Sequence, residues 1–172
     1  MKKIILSGYM GSGKSTIASL LHQRIGLSLI DLDIVIETKT GLSIANIFAE
    51  KGEIYFRKLE HETLIEILSR DTSFILALGG GTPCYANNHE LLKADGLDWI
   101  YLKATLETLI ERLTPESGHR PLLADKSSDE LKLFIGQHLF ERSYFYNQAK
   151  YTVTTDGKSP EAIVTEIEKI LA

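Results

Sequence analysis

The nine residues Gly8-Tyr9-Met10-Gly11-Ser12-Gly13-Lys14-Ser15-Thr16 constrain this chain more than any other stretch. They follow a short apolar run, Lys3–Ser7, with the composition of a buried strand. They lead into Lys14–Ile25, where Ile17, Leu20, Leu21 and Ile25 share one helical face. Strand, glycine-rich turn and helix in that order satisfy G-x-x-x-x-G-K-[ST] in the context the pattern requires. Glycines let successive backbone N–H groups turn inward around a phosphate, and the helix N-terminus adds partial positive charge. In such a turn Lys14 reaches the β- and γ-phosphates and the Ser15 hydroxyl ligates Mg²⁺, with Gly11, Ser12, Gly13 and Thr16 completing the expected contacts. The alternative is a chance glycine-rich turn, which the flanking strand and helix make hard to sustain.

Further along, short β-branched runs alternate with longer segments of helical period, the pattern of a parallel sheet covered by helices. Strands are predicted at Leu29–Leu32, Phe74–Leu78, Trp99–Leu102 and Tyr151–Thr154. Helices are predicted at Glu53–Ser69, Asn88–Ala94, Thr105–Leu113, Asp129–Gln148 and Pro160–Leu171. The last opens Ser159-Pro160-Glu161, an N-cap with proline at the first helical position. There is no internal repeat, low-complexity tract or long linker, so one domain over residues 1–172 is expected. Thr114–Ser128, rich in turn formers and charges, reads as a mobile flap or as an inert surface loop.

Composition excludes several classes. With 19 basic and 23 acidic residues the net charge is −4, which rules out a generally basic nucleic-acid coat. Cys84 is the only cysteine, so an intrachain disulfide is impossible. The apolar start breaks at Ser7-Gly8, too early for a signal peptide, and no stretch approaches the ~18 apolar residues of a membrane span. A cytoplasmic monomer without nucleic-acid or membrane partners is the expectation. Only six of the basic residues are arginines (24, 57, 70, 112, 120 and 142).

Other residues bear on chemistry. Asp31-Leu32-Asp33 ends the second predicted strand, and the i, i+2 spacing aims both carboxylates to one side of an extended chain, toward the ligand edge of a parallel sheet. One carboxylate then holds Mg²⁺ while the other accepts a hydroxyl proton; a turn or helix cap is the alternative. Gly79-Gly80-Gly81 either admits a ligand close to the main chain or is a flexible turn. Arg57, with Glu60 three residues on, has the fork that grips a carboxylate, or makes a surface ion pair. Arg120 in the flap and Arg142 on the next helix are cations for anionic ligands, or are solvated.

Together, Gly8–Thr16, Asp31-Leu32-Asp33-(x)3-Glu37, Thr40-Gly41-x-Ser43-Ile44-x-x-Ile47-Phe48, Gly52-Glu53-x-x-Phe56-Arg57-x-x-Glu60, Gly79-Gly80-Gly81, Arg120-Pro121-Leu122-Leu123 and Glu141-Arg142-(x)3-Tyr146 closely resemble shikimate kinase over essentially the whole chain. The resemblance implies an α/β, three-layer P-loop NTPase fold of the nucleoside monophosphate kinase type. Its five-stranded parallel sheet has the order 2-3-1-4-5 and is flanked by helices, with a lid at about residues 114–128. It implies Mg²⁺-dependent transfer of the ATP γ-phosphate to the 3-hydroxyl of shikimate, in the pathway to chorismate and the aromatic amino acids. By position, Asp33 binds the acceptor hydroxyls and serves as base, and Arg57, Arg142, Gly80 and Gly81 hold shikimate. Ser15 and Asp31 serve Mg²⁺. Arg120 is the lid arginine, and Arg112, with Lys158 and Pro160, flanks adenine. The chain departs from the family in the lid sequence Thr114–His119 and at Leu32, which is expected to point away from the cleft. The runners-up are another small-metabolite kinase, such as a gluconate kinase, and an ATP-binding module without catalysis. The particular Phe56-Arg57-x-x-Glu60 and triple-glycine blocks weigh against the first. The retained Lys14, Asp33 and arginines weigh against the second.

Overall fold

The computed structural model describes residues 1–120 and 122–172, so Pro121 of the Arg120–Leu123 block lies outside the described residues. In chain order the elements are β1 (Lys3–Ser7), α1 (Lys14–Ile25), β2 (Ser28–Asp31), α2 (Leu32–Thr40), α3 (Ile44–Lys51), α4 (Glu53–Leu68) and β3 (Phe74–Ala77). They continue through α5 (Asn88–Leu92), β4 (Leu97–Lys103), α6 (Leu106–Leu113), α7 (Ser128–Tyr146), β5 (Tyr151–Thr154) and α8 (Pro160–Leu171). The strands form one sheet in the order β2-β3-β1-β4-β5, and every neighbouring pair is parallel.

Both faces of a parallel sheet are covered, and the strand sequences show it: Ile4 and Leu6 point to one side and Ile5 to the other, all fully buried. On the first side Ile4, Leu6, Ile75, Ile100 and Val153 pack against Ile17 and Leu21 of α1 and Ile163 and Ile167 of α8. On the second, Ile5, Leu76 and Trp99 meet Leu32 and Ile36 of α2, Ile47 of α3 and Leu64 and Ile67 of α4. Trp99 donates its indole N–H to Ser7 Oγ at 2.8 Å, which satisfies its one polar atom inside the core. A third cluster of Tyr9, Tyr101, Leu109, Leu113, Leu123, Ile135 and Tyr146 joins α6 and α7 to the end of the sheet. The register sets Leu6 beside Ala77 and Asp31 beside Ala77 from the other flank. The loops after β1, β2 and β3 therefore leave the sheet at one edge, where parallel sheets bind ligands.

Two helices depart from the predicted pattern. Leu32-Asp33-Ile34-Val35-Ile36 is a β-branched run, yet it is the start of α2. The Asp31 carboxylate accepts from Ile34 N at 3.1 Å and so caps the helix, and Leu32 and Ile36, one turn apart, are buried together. Ser43 caps α3 in the same way through Asn46 N. The second strand thus ends at Asp31 rather than Leu32. Asp33 belongs to a helical first turn, which replaces the extended-chain argument for the two carboxylates. Leu32 does point away from the cleft, into the core.

Candidate active site

The loop between β1 and α1 is built for an anion. Gly13, the last residue before α1, sits at φ +94°, in the left-handed region that side chains resist. Lys14 follows, and its ammonium folds back to donate to Gly8 O at 2.5 Å and Tyr9 O at 3.2 Å. Burial pushes its pKa down to about 8, opposed by the Asp33 charge, which marks a cation short of solvent and of negative partners. Lys14 lines a cleft of about 580 Å³ with Gly11, Gly13, Ser15, Thr16, Asp31, Asp33, Gly79, Gly80, Arg112 and Arg120. Ser12 is buried beside it, its hydroxyl without a hydrogen-bond partner.

Beyond the cleft, the three glycines run as a rail past three charged side chains. A methyl group added at Gly79 would lie 3.1 Å from Asp33 Oδ1, and one at Gly80 would lie 3.2 Å from Arg142 Nη1 and 3.7 Å from the Met10 amide nitrogen. At Gly81 it would come within 2.7 Å of Arg57 Nη2, 2.9 Å of Arg57 Nη1 and 3.1 Å of Arg142 Nη2. Space for these neighbours is what calls for glycine here. The loop is held on both sides. Tyr146 donates its hydroxyl to Gly80 O at 2.5 Å, and Thr82 donates to the buried Glu60 carboxylate at 3.0 Å. Arg57 Nη1 pairs with the other Glu60 oxygen at 2.9 Å. Arg142 is only 8% exposed, and Phe56 packs into the core with Phe48 against it at 4.6 Å between ring centroids.

Asp33 carries the most informative charge state. Burial, and then Asp31 and Glu60, push its pKa up to about 6, against the pull of Lys14. It is a carboxylate ionised at neutral pH yet close enough to neutrality to take a proton. Asp31 uses Oδ1 to cap α2 and lines the cleft, as does Ser15 from the first turn of α1. Two hard oxygen donors of this kind suit Mg²⁺, which keeps most of its shell as water and phosphate oxygen. Among the described residues no cluster of three or more His, Cys, Asp or Glu forms a closed metal cage.

The segment between α6 and α7 borders the same cleft. Arg120 lines it, with Nη2 paired to Glu116 at 3.0 Å, and Leu123 is fully buried in the α6–α7 cluster. Arg112 donates to Gly11 O at 3.1 Å and braces the phosphate loop, whereas Lys158 pairs with Glu166 at 2.6 Å. Sequence reasoning missed Glu116, four residues before Arg120 and so one helical turn away. It also missed Tyr9, whose hydroxyl shares a hydrogen bond with His138 Nδ1 at 2.9 Å and ties the phosphate loop to α7. Burial, then Arg142, pushes His138 down to about 4, so the ring is neutral at neutral pH. Tyr85, the third omission, had no signal beyond its nearness to the glycines.

A parallel 2-3-1-4-5 sheet, a phosphate loop after its central strand, and an arginine-bearing connection between α6 and α7 define a P-loop kinase. The shikimate kinase family model matches residues 10–172. Shikimate kinase of Flavobacterium johnsoniae is 50% identical over 172 residues, covering 100% of both chains. Among solved structures, shikimate kinase from Bacteroides thetaiotaomicron superposes with a TM-score of 0.90 at 33% identity, over 99% of this chain and 98% of that one. Shikimate kinase from Acinetobacter baumannii in complex with shikimate gives 0.85 at 33% identity, over 99% and 93%. The chain belongs to the shikimate kinase family and is an enzyme with ATP as its co-substrate.

Proposed function

We propose that this protein transfers the γ-phosphoryl group of ATP to the 3-hydroxyl of shikimate, giving 3-phosphoshikimate and ADP, as a single domain with its lid at residues 114–128. The observation that carries this reading is the glycine rail. It sets Asp33, Arg142 and Arg57 in sequence beside the phosphate loop, matching an acceptor with hydroxyls at one end and a carboxylate at the other. Arg57 and Arg142 grip the carboxylate through charge-assisted hydrogen bonds, with the Gly80 and Gly81 backbone against the ring. Asp33 accepts a hydrogen bond from the attacking hydroxyl, orients its lone pair toward phosphorus and takes its proton. Gly11, Ser12, Gly13, Lys14, Ser15 and Thr16 cradle the nucleotide phosphates, and Arg112 holds Gly11 in place and faces the nucleotide side.

Phosphoryl transfer needs alignment and charge neutralisation more than covalent help. Lys14 and Arg120 supply positive charge to the transferring group, with Arg120 exchanging Glu116 for phosphate oxygen as the lid settles and excludes water. Ser15 and Asp31 would hold Mg²⁺, Asp31 through water, and the ion would supply positive charge to the phosphates. Among the described residues no helix is long and apolar enough to cross a membrane. The proposal takes the protein as a cytoplasmic monomer acting on small molecules.

A coupled ADP-release assay with Mg-ATP tests the proposal. Shikimate-dependent turnover is expected, with gluconate and other hydroxy acids far slower. Turnover with gluconate alone, or with neither acid, overturns it. In titration calorimetry Arg57→Ala should weaken shikimate by about 1.5–3 kcal/mol while leaving ATP unchanged.

A further inference from the structure

Arg57 is held by carboxylates on one hand and by an aromatic ring on the other. In the plane of the guanidinium, Nη1 donates to Glu60 Oε1 at 2.9 Å. Glu60 is itself fixed by Thr82, whose carbonyl accepts from Asn88 Nδ2 at 2.9 Å, and Asn88 Oδ1 lies 2.6 Å from His61 Nδ1. Neither this single hydrogen bond nor the longer 3.8 Å contact of Nε with the exposed Glu53 carboxylate fixes the tilt of the guanidinium plane. Perpendicular to the plane, the Tyr85 ring centroid lies 3.8 Å from Arg57 Cζ, stacking distance, against 5.1 Å for Phe56 and 6.0 Å for Phe48. The other neighbour is Gly81, close enough to leave no room for a methyl group. Among the described residues Arg57 Nε is buried without a hydrogen-bond partner, 3.8 Å from Glu53 Oε1.

The chain places Tyr85 deliberately. The 3₁₀ turn Thr82–Cys84 starts at the residue that Glu60 anchors, and Tyr85 follows it in extended conformation. Ala86 and Asn87 then both adopt left-handed φ, 51° and 55°, which non-glycine residues resist. Asn88 closes the reversal by donating its N–H to Tyr85 O at 3.0 Å, with its side chain buried.

We propose that Tyr85 is a positioning residue for the acceptor site. Its ring holds the Arg57 guanidinium in the orientation that sets Nη2 beside Gly81 and Arg142 Nη2, where the substrate carboxylate is gripped. Holding the fork in advance removes a rotamer-ordering cost from binding. This inference rests on the assignment of Arg57 to the carboxylate.

The test compares kcat/KM for shikimate and for ATP, read as initial slopes, in the wild type, Tyr85→Phe, Tyr85→Leu, Arg57→Ala and the Arg57→Ala/Tyr85→Leu double variant. Loss of a desolvated stack predicts that Tyr85→Leu lowers the shikimate slope by about tenfold, through KM rather than kcat. The ATP slope stays level, Tyr85→Phe restores the wild-type value, and the leucine change adds nothing once Arg57 is gone. The role of Tyr85 is overturned if Tyr85→Leu leaves the shikimate slope intact, lowers both slopes together, or costs the same in the Arg57→Ala background. It is equally overturned if Tyr85→Phe is as impaired as Tyr85→Leu. If instead Arg57→Ala leaves the shikimate slope untouched, the carboxylate assignment falls and takes Tyr85 with it, a pattern distinct from Tyr85 failing alone.

Discussion

Asp33 shows how a residue trades stability for chemistry. Its folded pKa of about 6 lies above the ordinary 3.8, so the folded state holds the proton more tightly than the unfolded chain does. The stabilisation from that tighter binding is fully present below pH 3.8 and is lost as pH rises through 6. By linkage, the ionised carboxylate costs up to about 3 kcal/mol at neutral pH. Asp33→Asn should therefore stabilise the ligand-free protein by about 1–3 kcal/mol in urea unfolding at pH 7, and the gain should vanish below pH 4. The same variant should lose at least about 100-fold in turnover while binding ATP as before, since the proton acceptor is gone. In the wild type, kcat/KM for shikimate should fall as pH drops below 6, where the proton occupies the lone pair that the hydroxyl needs. The two aspartates were visible in the chain as a pair. How they come to share a cleft was not, because a strand end and a helix first turn leave the same i, i+2 spacing.

Among the elements, the glycine rail and the lid carry the most. Gly81→Ala places a methyl group against the ends of two arginines, and guanidinium groups can move aside more cheaply than backbone. Stability should thus change by less than about 1 kcal/mol, while kcat/KM for shikimate falls at least about tenfold because the clamp is displaced. Unfolding curves and shikimate saturation together check this; a large loss of stability with intact affinity would contradict the packing. On the proposed reading, Glu116 competes with phosphate for Arg120. The pair is solvent-exposed, 37% and 55%, so it is worth at most about 1 kcal/mol. Glu116→Gln should lower KM for ATP by about two- to fivefold at low salt, an effect that disappears in high salt. The helices α2 and α3 escaped periodicity analysis for a related reason. The run Leu32–Ile36 has strand-like composition, and only the Asp31 cap and burial of Leu32 and Ile36 against the sheet make it helical.

Across the whole molecule, the charge distribution explains how a chain of net charge −4 accommodates two anions. Arg24 pairs with Glu168 and Arg70 lies near Glu66 on the outside, whereas Arg57, Arg112, Arg120 and Arg142 stand around the cleft and the glycine rail. Because the site is assembled from the ends of three strands and from α1, α2, α4 and α7, ligands that occupy it tie much of the fold together. ADP and shikimate, each at 100 times its Kd, should each add about 2.7 kcal/mol to global stability, raising Tm by roughly 5–10 °C per ligand. Thermal scans over a ligand series check that expectation.

The sequence by itself determined the parallel sheet, the phosphate loop and the family, because strand and helix periods and the glycine-rich blocks are local patterns written along the chain. It also singled out the arginines, since a scarce residue at a particular spacing stands out. Only the tertiary structure decided which side of Arg57 meets Glu60 and which meets Tyr85, that Asp33 is buried enough to hold its proton near neutrality, and that Tyr146 and His138 anchor the loops from α7. Apart from the neighbouring pair Arg57 and Glu60, those contacts join residues far apart in sequence, from 28 positions between Arg57 and Tyr85 to 129 between Tyr9 and His138. Their energies depend on burial and distance, which exist only once the sheet has brought its loops to one edge.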